Sequence, residues 1–305
     1  MKRAVSISIG SSKRDKVTHL ELLGETVCLE RTGTDGDMEK AARLYAELDG
    51  VADAFGVGGA VLGLLVDDHW YPLPSIEKLT RQVQRTPVVD GTGLKTTLET
   101  QAARVVDAQL GGQLKHKRAL LISGVDRYGM SQSFLRAGYQ CVIGDLMFSL
   151  GLPFAIRSER TLQQVARLLI PILGHVPFEW LYPTGEKQEE HTPRWVEHFH
   201  WAEVISGDCH YITKYMPDDL EGKIIVTNTT TAEDRQLFRQ AGVKYLVTTT
   251  PVLEGRSFGT NVMEAALLAA TGWRDPVDYG RPGDYFQQMQ RLVDQLQLAP
   301  QVQEL

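Results

Sequence analysis

From position 118 onward the chain alternates apolar runs of strand length with segments whose apolar residues recur at helical spacing. That alternation confines it to the α/β class. A strand at 118–122 leads through a loop at 123–128 to a helix at 129–137 and a second strand at 140–144. A helix at 162–173, an irregular stretch rich in aromatic residues and histidines at 177–201, and strands at 203–206 and 223–227 follow. A helix at 232–241, a strand at 245–248 and a helix at 259–271 lined by small residues complete the pattern. Strands separated by helices pair in parallel through right-handed crossovers.

The first third is less regular. Strands are expected at 4–9, 25–30, 51–57 and 87–89, and helices at 37–48, 75–84 and 94–108. In the helix at 37–48, Met38, Ala41, Leu44, Tyr45 and Leu48 share one face, with Asp37 and Glu39 near the positive end of the dipole. The run Gly111-Gly112-Gln113-Leu114-Lys115-His116-Lys117, Gly-rich and then basic, breaks the rhythm. A length of 305 residues exceeds what one core usually supports. The expectation is two domains: an N-terminal α/β substrate-type domain over 1–113, and a Rossmann-like parallel-sheet nucleotide-binding domain over 114–305. The helix after Gly259 is expected to return to the cleft between them.

Charge narrows the partners. A net charge of -6 and the absence of a Lys/Arg stripe argue against nucleic acid. No run approaches the ~20 apolar residues that span a bilayer, and Met1-Lys2-Arg3 enters a short polar strand rather than a secretory signal. Cys28, Cys141 and Cys209 lie far apart with no CxxC pair, which suits a reducing compartment, so a cytoplasmic location is expected. His191, His198, His200, Cys209 and His210 cluster in sequence but include no paired i, i+4 histidines. They read as scattered side chains on an aromatic loop, and no metal is expected.

The segment from Arg118 to Asp145 has the form of a mononucleotide-binding half: strand, glycine-containing turn, helix, strand and terminal acid. Asp145 lies 21 residues past Gly124, where an acid takes a ribose 2′-hydroxyl and favours NAD over NADP. In Ser123-Gly124-Val125-Asp126-Arg127-Tyr128-Gly129, however, Asp126 stands where a second glycine would admit a pyrophosphate. Gly124 and Gly129 also have P-loop spacing, but Met130 replaces the lysine, so a P-loop is rejected.

The second signal is Val89-Asp90-Gly91-Thr92-Gly93-Leu94-Lys95-Thr96-Thr97-Leu98-Glu99. It resembles the N-T-D-G-x-G-L-x-x-x-L-E motif that precedes the cofactor domain of shikimate and quinate dehydrogenases. The chain as a whole looks like a bacterial group labelled quinate 5-dehydrogenase. The resemblance implies an NAD(P)-dependent dehydrogenase of a small hydroxylated carboxylic acid, with a homodimer as part of the expectation. Asp90 would be the catalytic carboxylate, paired with a lysine that shares the hydroxyl proton. The family's N-V-T-x-P-x-K stretch is not found; Lys78 is the nearest positional candidate, with Lys95 and Lys13 as rivals. Ser11, Ser12 and Lys13 fall where the family holds a substrate carboxylate, with Lys95, Arg256 and Asn261 as further substrate contacts. Gly124, Asp126, Gly129, Asp145, Thr227 and Asn228 would line the cofactor. The alternative is a scaffold that binds a nucleotide or metabolite without hydride transfer, which the carboxylate in the phosphate loop and the missing lysine stretch favour.

Overall fold

The computed structural model of the chain describes residues 1–176, 191–250, 252, 253 and 256–305. The irregular stretch expected at 177–201 therefore lies partly outside the described residues. The first elements are strands β1 (Lys2–Ser8), β2 (Lys16–Leu22) and β3 (Glu25–Gly33), helix α1 (Met38–Leu48), β4 (Ala54–Gly58), β5 (Gly63–Val66) and β6 (His69–Pro72). Next come α2 (Pro74–Glu77), β7 (Val88–Val89), α3 (Thr92–Thr97), α4 (Ala102–Leu110), β8 (Arg118–Leu121), α5 (Tyr128–Arg136), β9 (Gln140–Ile143) and α6 (Glu159–Leu173). Beyond them lie α7 (Val196–Trp201), β10 (Val204–Ser206), α8 (Cys209–Tyr215), β11 (Ile224–Thr227), α9 (Ala232–Gln240) and β12 (Tyr245–Thr248). The chain closes with β13 (Val252–Leu253), β14 (Arg256–Ser257), α10 (Thr260–Thr271), α11 (Tyr285–Gln295) and β15 (Gln301–Glu304).

Two compact units result, each assembled from three separate stretches. Unit 1 comprises Met1–Leu94, Ile170–Lys187 and Leu253–Leu296; unit 2 comprises Lys95–Leu169, Gln188–Val252 and Gln297–Leu305. Both are mixed α/β.

The unit 1 sheet has the order β2-β3-β1-β4-β7, parallel except for the edge strand β2. Side chains alternate across a strand, so β1 and β4 present two different faces. Val5, Ile7, Phe55 and Val57 form one core with Ala41 and Tyr45 of α1. The opposite face carries small residues, Ser6 and Gly56 among them, and α10 packs on that sheet. A Cβ on Gly56 would sit 2.8 Å from the Asn261 carbonyl oxygen, so glycine permits this close approach. The helix expected after Gly259 is α10, buried at every position from Val262 to Ala270.

The unit 2 sheet has the order β15-β12-β11-β10-β8-β9. Its five parallel strands, counted by appearance, run second, first, third, fourth, fifth; β15 adds an antiparallel edge. Sequences such as Ala119-Leu120-Leu121 and Ile224-Ile225-Val226 are apolar without alternation because both faces are covered. Leu120, Val142, Ile205, Ile225 and Leu246 meet Phe148, Phe199 and Phe238 in one core. α9 starts on a reciprocal cap: Asp234 N–H donates to Thr231 Oγ1, and Thr231 N–H donates to Asp234 Oδ2 at 2.7 Å.

Candidate functional site

The loops after β8, β10, β11 and β12 leave the carboxyl ends of four adjacent parallel strands, and polar side chains gather on them. Gly124, Val125, Asp126 and Arg127 follow β8; Asp208, Cys209 and Tyr211 follow β10; Asn228 follows β11; Thr249 and Thr250 follow β12. Arg127, only 4% exposed, is the hub. Its guanidinium pairs with Glu99, donates to Asp208 Oδ2 at 2.8 Å, and lies 3.6 Å from Asp126 Oδ2. Asn228 Nδ2 donates to Asp208 Oδ2 at 3.1 Å, and Thr250 N–H donates to the Asn228 carbonyl at 2.9 Å. A continuous hydrogen-bonded chain therefore runs Glu99–Arg127–Asp208–Asn228–Thr250.

The electrostatics follow from burial set against charge. Burial alone would weaken the Arg127 cation, but Glu99, Asp208 and Asp126 overcome it and raise its pKa. Burial also opposes ionisation of Asp208, yet Arg127 and His210 hold that carboxyl down at about 2. Burial raises Glu99 against the pull of Arg127. Three buried oxygens in this region have no partner: Glu99 Oε2, Thr249 Oγ1 and Thr250 Oγ1.

The phosphate-type loop differs from its expected role. Asp145 Oδ2 accepts from Gly124 N–H at 2.9 Å and Asp145 Oδ1 from Val125 N–H at 2.8 Å. The amides that a pyrophosphate would take are thus held by a carboxylate of the chain itself. A Cβ on Gly124 would fall 2.7 Å from Asp145 Oδ2, so the glycine serves this internal contact. Burial pushes the Asp145 pKa up to about 7 against those two amide bonds. Gly129 lies against the Lys95 carbonyl, where a Cβ would be 2.3 Å from the oxygen. Asp126 Oδ1 accepts from Lys95 Nζ at 2.7 Å, and Thr227 Oγ1 donates to Asn228 Oδ1 at 3.0 Å.

The candidates in unit 1 form a separate constellation. Asp90 is buried; its carboxylate accepts from Leu62 N–H at 2.7 Å and Thr92 N–H at 3.0 Å. Among the described residues no lysine pairs with it: Lys78 is exposed at the end of α2, and Lys95 is bound to Asp126. Ser11 Oγ accepts from Lys13 N–H, Ser12 N–H donates to Asp35, and Lys13 is exposed. Asn261 Nδ2 donates to Ser6 Oγ at 2.7 Å, inside the unit. The Arg256 side chain lies outside the described residues.

Sequence reading missed Glu264. It is fully buried, and its Oε1 accepts from Gly93 N–H and Tyr279 OH, both at 3.0 Å, and from Tyr285 OH; Oε2 has no partner. Burial, with the Asp90 charge adding to it, lifts its pKa to about 8. The visible signal was a lone acid in Val262-Met263-Glu264-Ala265-Ala266-Leu267-Leu268. Among the described residues no three His, Cys, Asp or Glu side chains converge as metal ligands, and no helix is long and apolar enough to cross a membrane.

Residues 93–305 match the family described as Domain of unknown function (DUF8754). The chain belongs to that family. Residues 3–90, ahead of the DUF8754 region, match Domain of unknown function (DUF8753). No curated protein matches the chain. Among solved structures it is similar to an ABC transporter solute-binding protein from Burkholderia multivorans (12% identity, 100% of this chain and 98% of that one, TM-score 0.39). It is also similar to a Mycobacterium smegmatis protein in complex with β-D-fucofuranose (12%, 91% and 88%, 0.35) and to the malic enzyme of Entamoeba histolytica (11%, 94% and 61%, 0.37). At TM-scores below 0.5 none of these likenesses identifies a fold or a ligand.

These findings correct the sequence expectation. The matching families are not those of shikimate or quinate dehydrogenases, so that membership is overturned, and the oxidoreductase reading with its Asp90–Lys78 pair goes with it. The physical reason is visible at Asp90: its carboxylate caps its own turn through Thr92 N–H, ties down Leu62 N–H of a distant segment, and has no lysine partner among the described residues.

Proposed function

We propose that the protein binds a small polar metabolite at the carboxyl ends of the unit 2 strands, without hydride transfer. The five parallel strands run in the order second, first, third, fourth, fifth, which supports reading the sheet as doubly wound. Open sheets of this kind take ligands where the first and third strands send their chain in opposite directions. Here those strands are β8 and β10, whose loops supply Asp126, Arg127 and Asp208. The reading rests above all on the buried oxygens without partners, Glu99 Oε2, Thr249 Oγ1 and Thr250 Oγ1. An unmade buried hydrogen bond costs about 1–3 kcal/mol, a cost that a bound ligand with matching groups removes. Asp126 and Asp208, with side chains 21% and 17% exposed, border the same network with the partly exposed Asn228, so its outer side is reachable.

The test is thermal unfolding against a panel of sugars, polyols, hydroxy acids and nucleotides, NADH included. A saturating ligand should raise Tm by a few degrees. Thr250→Val and Asp208→Asn should each abolish the rise, and NADH should not be oxidised in the presence of that ligand. The reading fails if no compound shifts Tm, or if neither substitution affects the shift.

A further inference from the structure

We propose that unit 1 carries a separate binding site, a cavity between α10 and α11 that takes a single aromatic ring bearing a carboxylate. The cavity measures about 170 Å³, and Leu268, Trp273, Tyr285, Met289, Leu292 and Arg291 are among its lining residues. Its walls follow from how the two helices are built. Tyr285, Met289 and Leu292 stand at positions i, i+4 and i+7 of α11 and so share one face. Gly272, at φ +71°, ends α10, and the N–H groups of Gly272 and Trp273 donate back to the Ala269 and Leu268 carbonyls, each at 3.1 Å. Such a cap turns the residue after the glycine back toward the last helical turn, so Trp273 and Leu268 border the same space.

Three features select the ligand. The first is size: a cavity of about 150 Å³ lined by apolar side chains holds one benzene, so this one has room for a single six-membered ring. The second is the geometry of the rings already there. Trp273 and Tyr285 have centroids 5.5 Å apart and planes at 81°. Both are held in place: Trp273 Nε1 donates to the Asp275 carbonyl at 2.7 Å, and Tyr285 OH donates to Glu264. Two fixed rings set edge to face favour a third packed in the same way, and the Met289 thioether favours an aromatic neighbour too. The third feature is charge. Arg291 is the charged residue of the lining; it is exposed, and no acid among the described residues pairs with it. Asp294, three positions on, accepts instead from Gln290 Nε2 at 2.8 Å. A guanidinium beside an apolar cavity suits a planar carboxylate, which it binds through two parallel N–H donors. The site lies wholly within unit 1 and does not depend on the unit 2 reading.

Four probes test it: benzoate, benzyl alcohol, benzylamine and acetate, each titrated into the intact ¹⁵N-labelled protein. The readout is the indole N–H signal of Trp273, assigned by its loss in Trp273→Phe. Benzoate should shift that signal saturably and bind roughly two- to fivefold more tightly than benzyl alcohol, the return expected of one exposed ion pair. Benzylamine should bind more weakly than the alcohol, and acetate should give no saturable shift. Arg291→Gln, at an exposed position, should bring benzoate level with benzyl alcohol. Leu292→Trp, at a partly exposed position, should fill the cavity and abolish the shift with every ring compound while Tm is kept. The cavity site is overturned if no ring compound gives a saturable shift, or if binding survives Leu292→Trp. Acetate binding as well as benzoate overturns the ring. The carboxylate class is overturned if the alcohol or the amine matches benzoate, or if Arg291→Gln keeps the preference.

Discussion

Arg127 shares its single charge among Glu99, Asp208 and Asp126, and its removal leaves acids in a place with little water. Breaking one partner of a buried pair typically costs 3–5 kcal/mol, because the remaining charge is uncompensated. Arg127→Met should therefore lower the unfolding free energy by about that much in urea titration, whereas Asp208→Asn, which keeps shape and hydrogen bonds, should cost clearly less. Glu264 sets a different dependence. In the unfolded chain it titrates near 4.5 and in the fold near 8. Between those values the folded state binds more protons than the unfolded state, so stability is complete below about pH 4.5 and declines as pH rises to 8. At about 1.4 kcal/mol per pKa unit the loss approaches 4–5 kcal/mol. Asp145, lifted from 3.8 to about 7, acts in the same sense. Unfolding measured at pH 5 and pH 8.5 should show this drop, and Glu264→Gln should remove much of it; an undiminished drop in the variant places its origin elsewhere. Residues of this kind were hard to read from sequence. Asp126 and Asp145 drew notice as cofactor candidates and Lys95 as a substrate candidate, but Arg127 meets partners 28 and 81 positions away, and no local pattern announces such a meeting.

At the level of elements, legibility followed burial. The parallel strands of unit 2 and helices α1, α9 and α10 were readable, because each is covered on a defined face and its apolar spacing records that. The helix expected at 75–84 stops at Glu77: Leu79 and Val83 bond back only three residues, so turns replace the helix. The helix expected at 94–108 is interrupted at Glu99–Gln101, where Glu99 turns inward to Arg127. β2 was overlooked although it alternates, with Thr18, Leu20 and Leu22 inward and His19 and Glu21 outward. The β5–β6 hairpin, α8 and β15, each seven residues or fewer, were also missed, and so was α11, although Tyr285, Met289 and Val293 recur on its buried face. The contact between α10 and its sheet can be tested directly. Gly56→Ala drives a methyl group to 2.8 Å from the Asn261 carbonyl and should cost about 1–3 kcal/mol, read as a lower urea midpoint at unchanged m. A neutral result would mean that α10 moves aside at little expense.

The whole molecule divides differently from its family matches. Those meet near residues 90–93, yet unit 1 takes its sheet-covering helix α10 from residues 260–271. A fragment of residues 1–92 would leave the Ser6 and Gly56 face of its sheet bare, and should be insoluble or show no cooperative unfolding by circular dichroism. Adding residues 253–296 in trans should restore a cooperative transition. A fragment that folds alone would show that α10 is dispensable to unit 1.

The interleaving also bears on how the chain is made. A ribosome delivers residues in order, and most multidomain proteins complete one domain before the next emerges. Here that sequence of events is closed off: the first sheet waits for residues 260–271, and β12 waits for β15 at 301–304 to cover its open edge. Through most of its synthesis the nascent protein carries two unfinished sheets at once, so its yield in the cell should hinge on the chaperones that shield it until the last strand arrives.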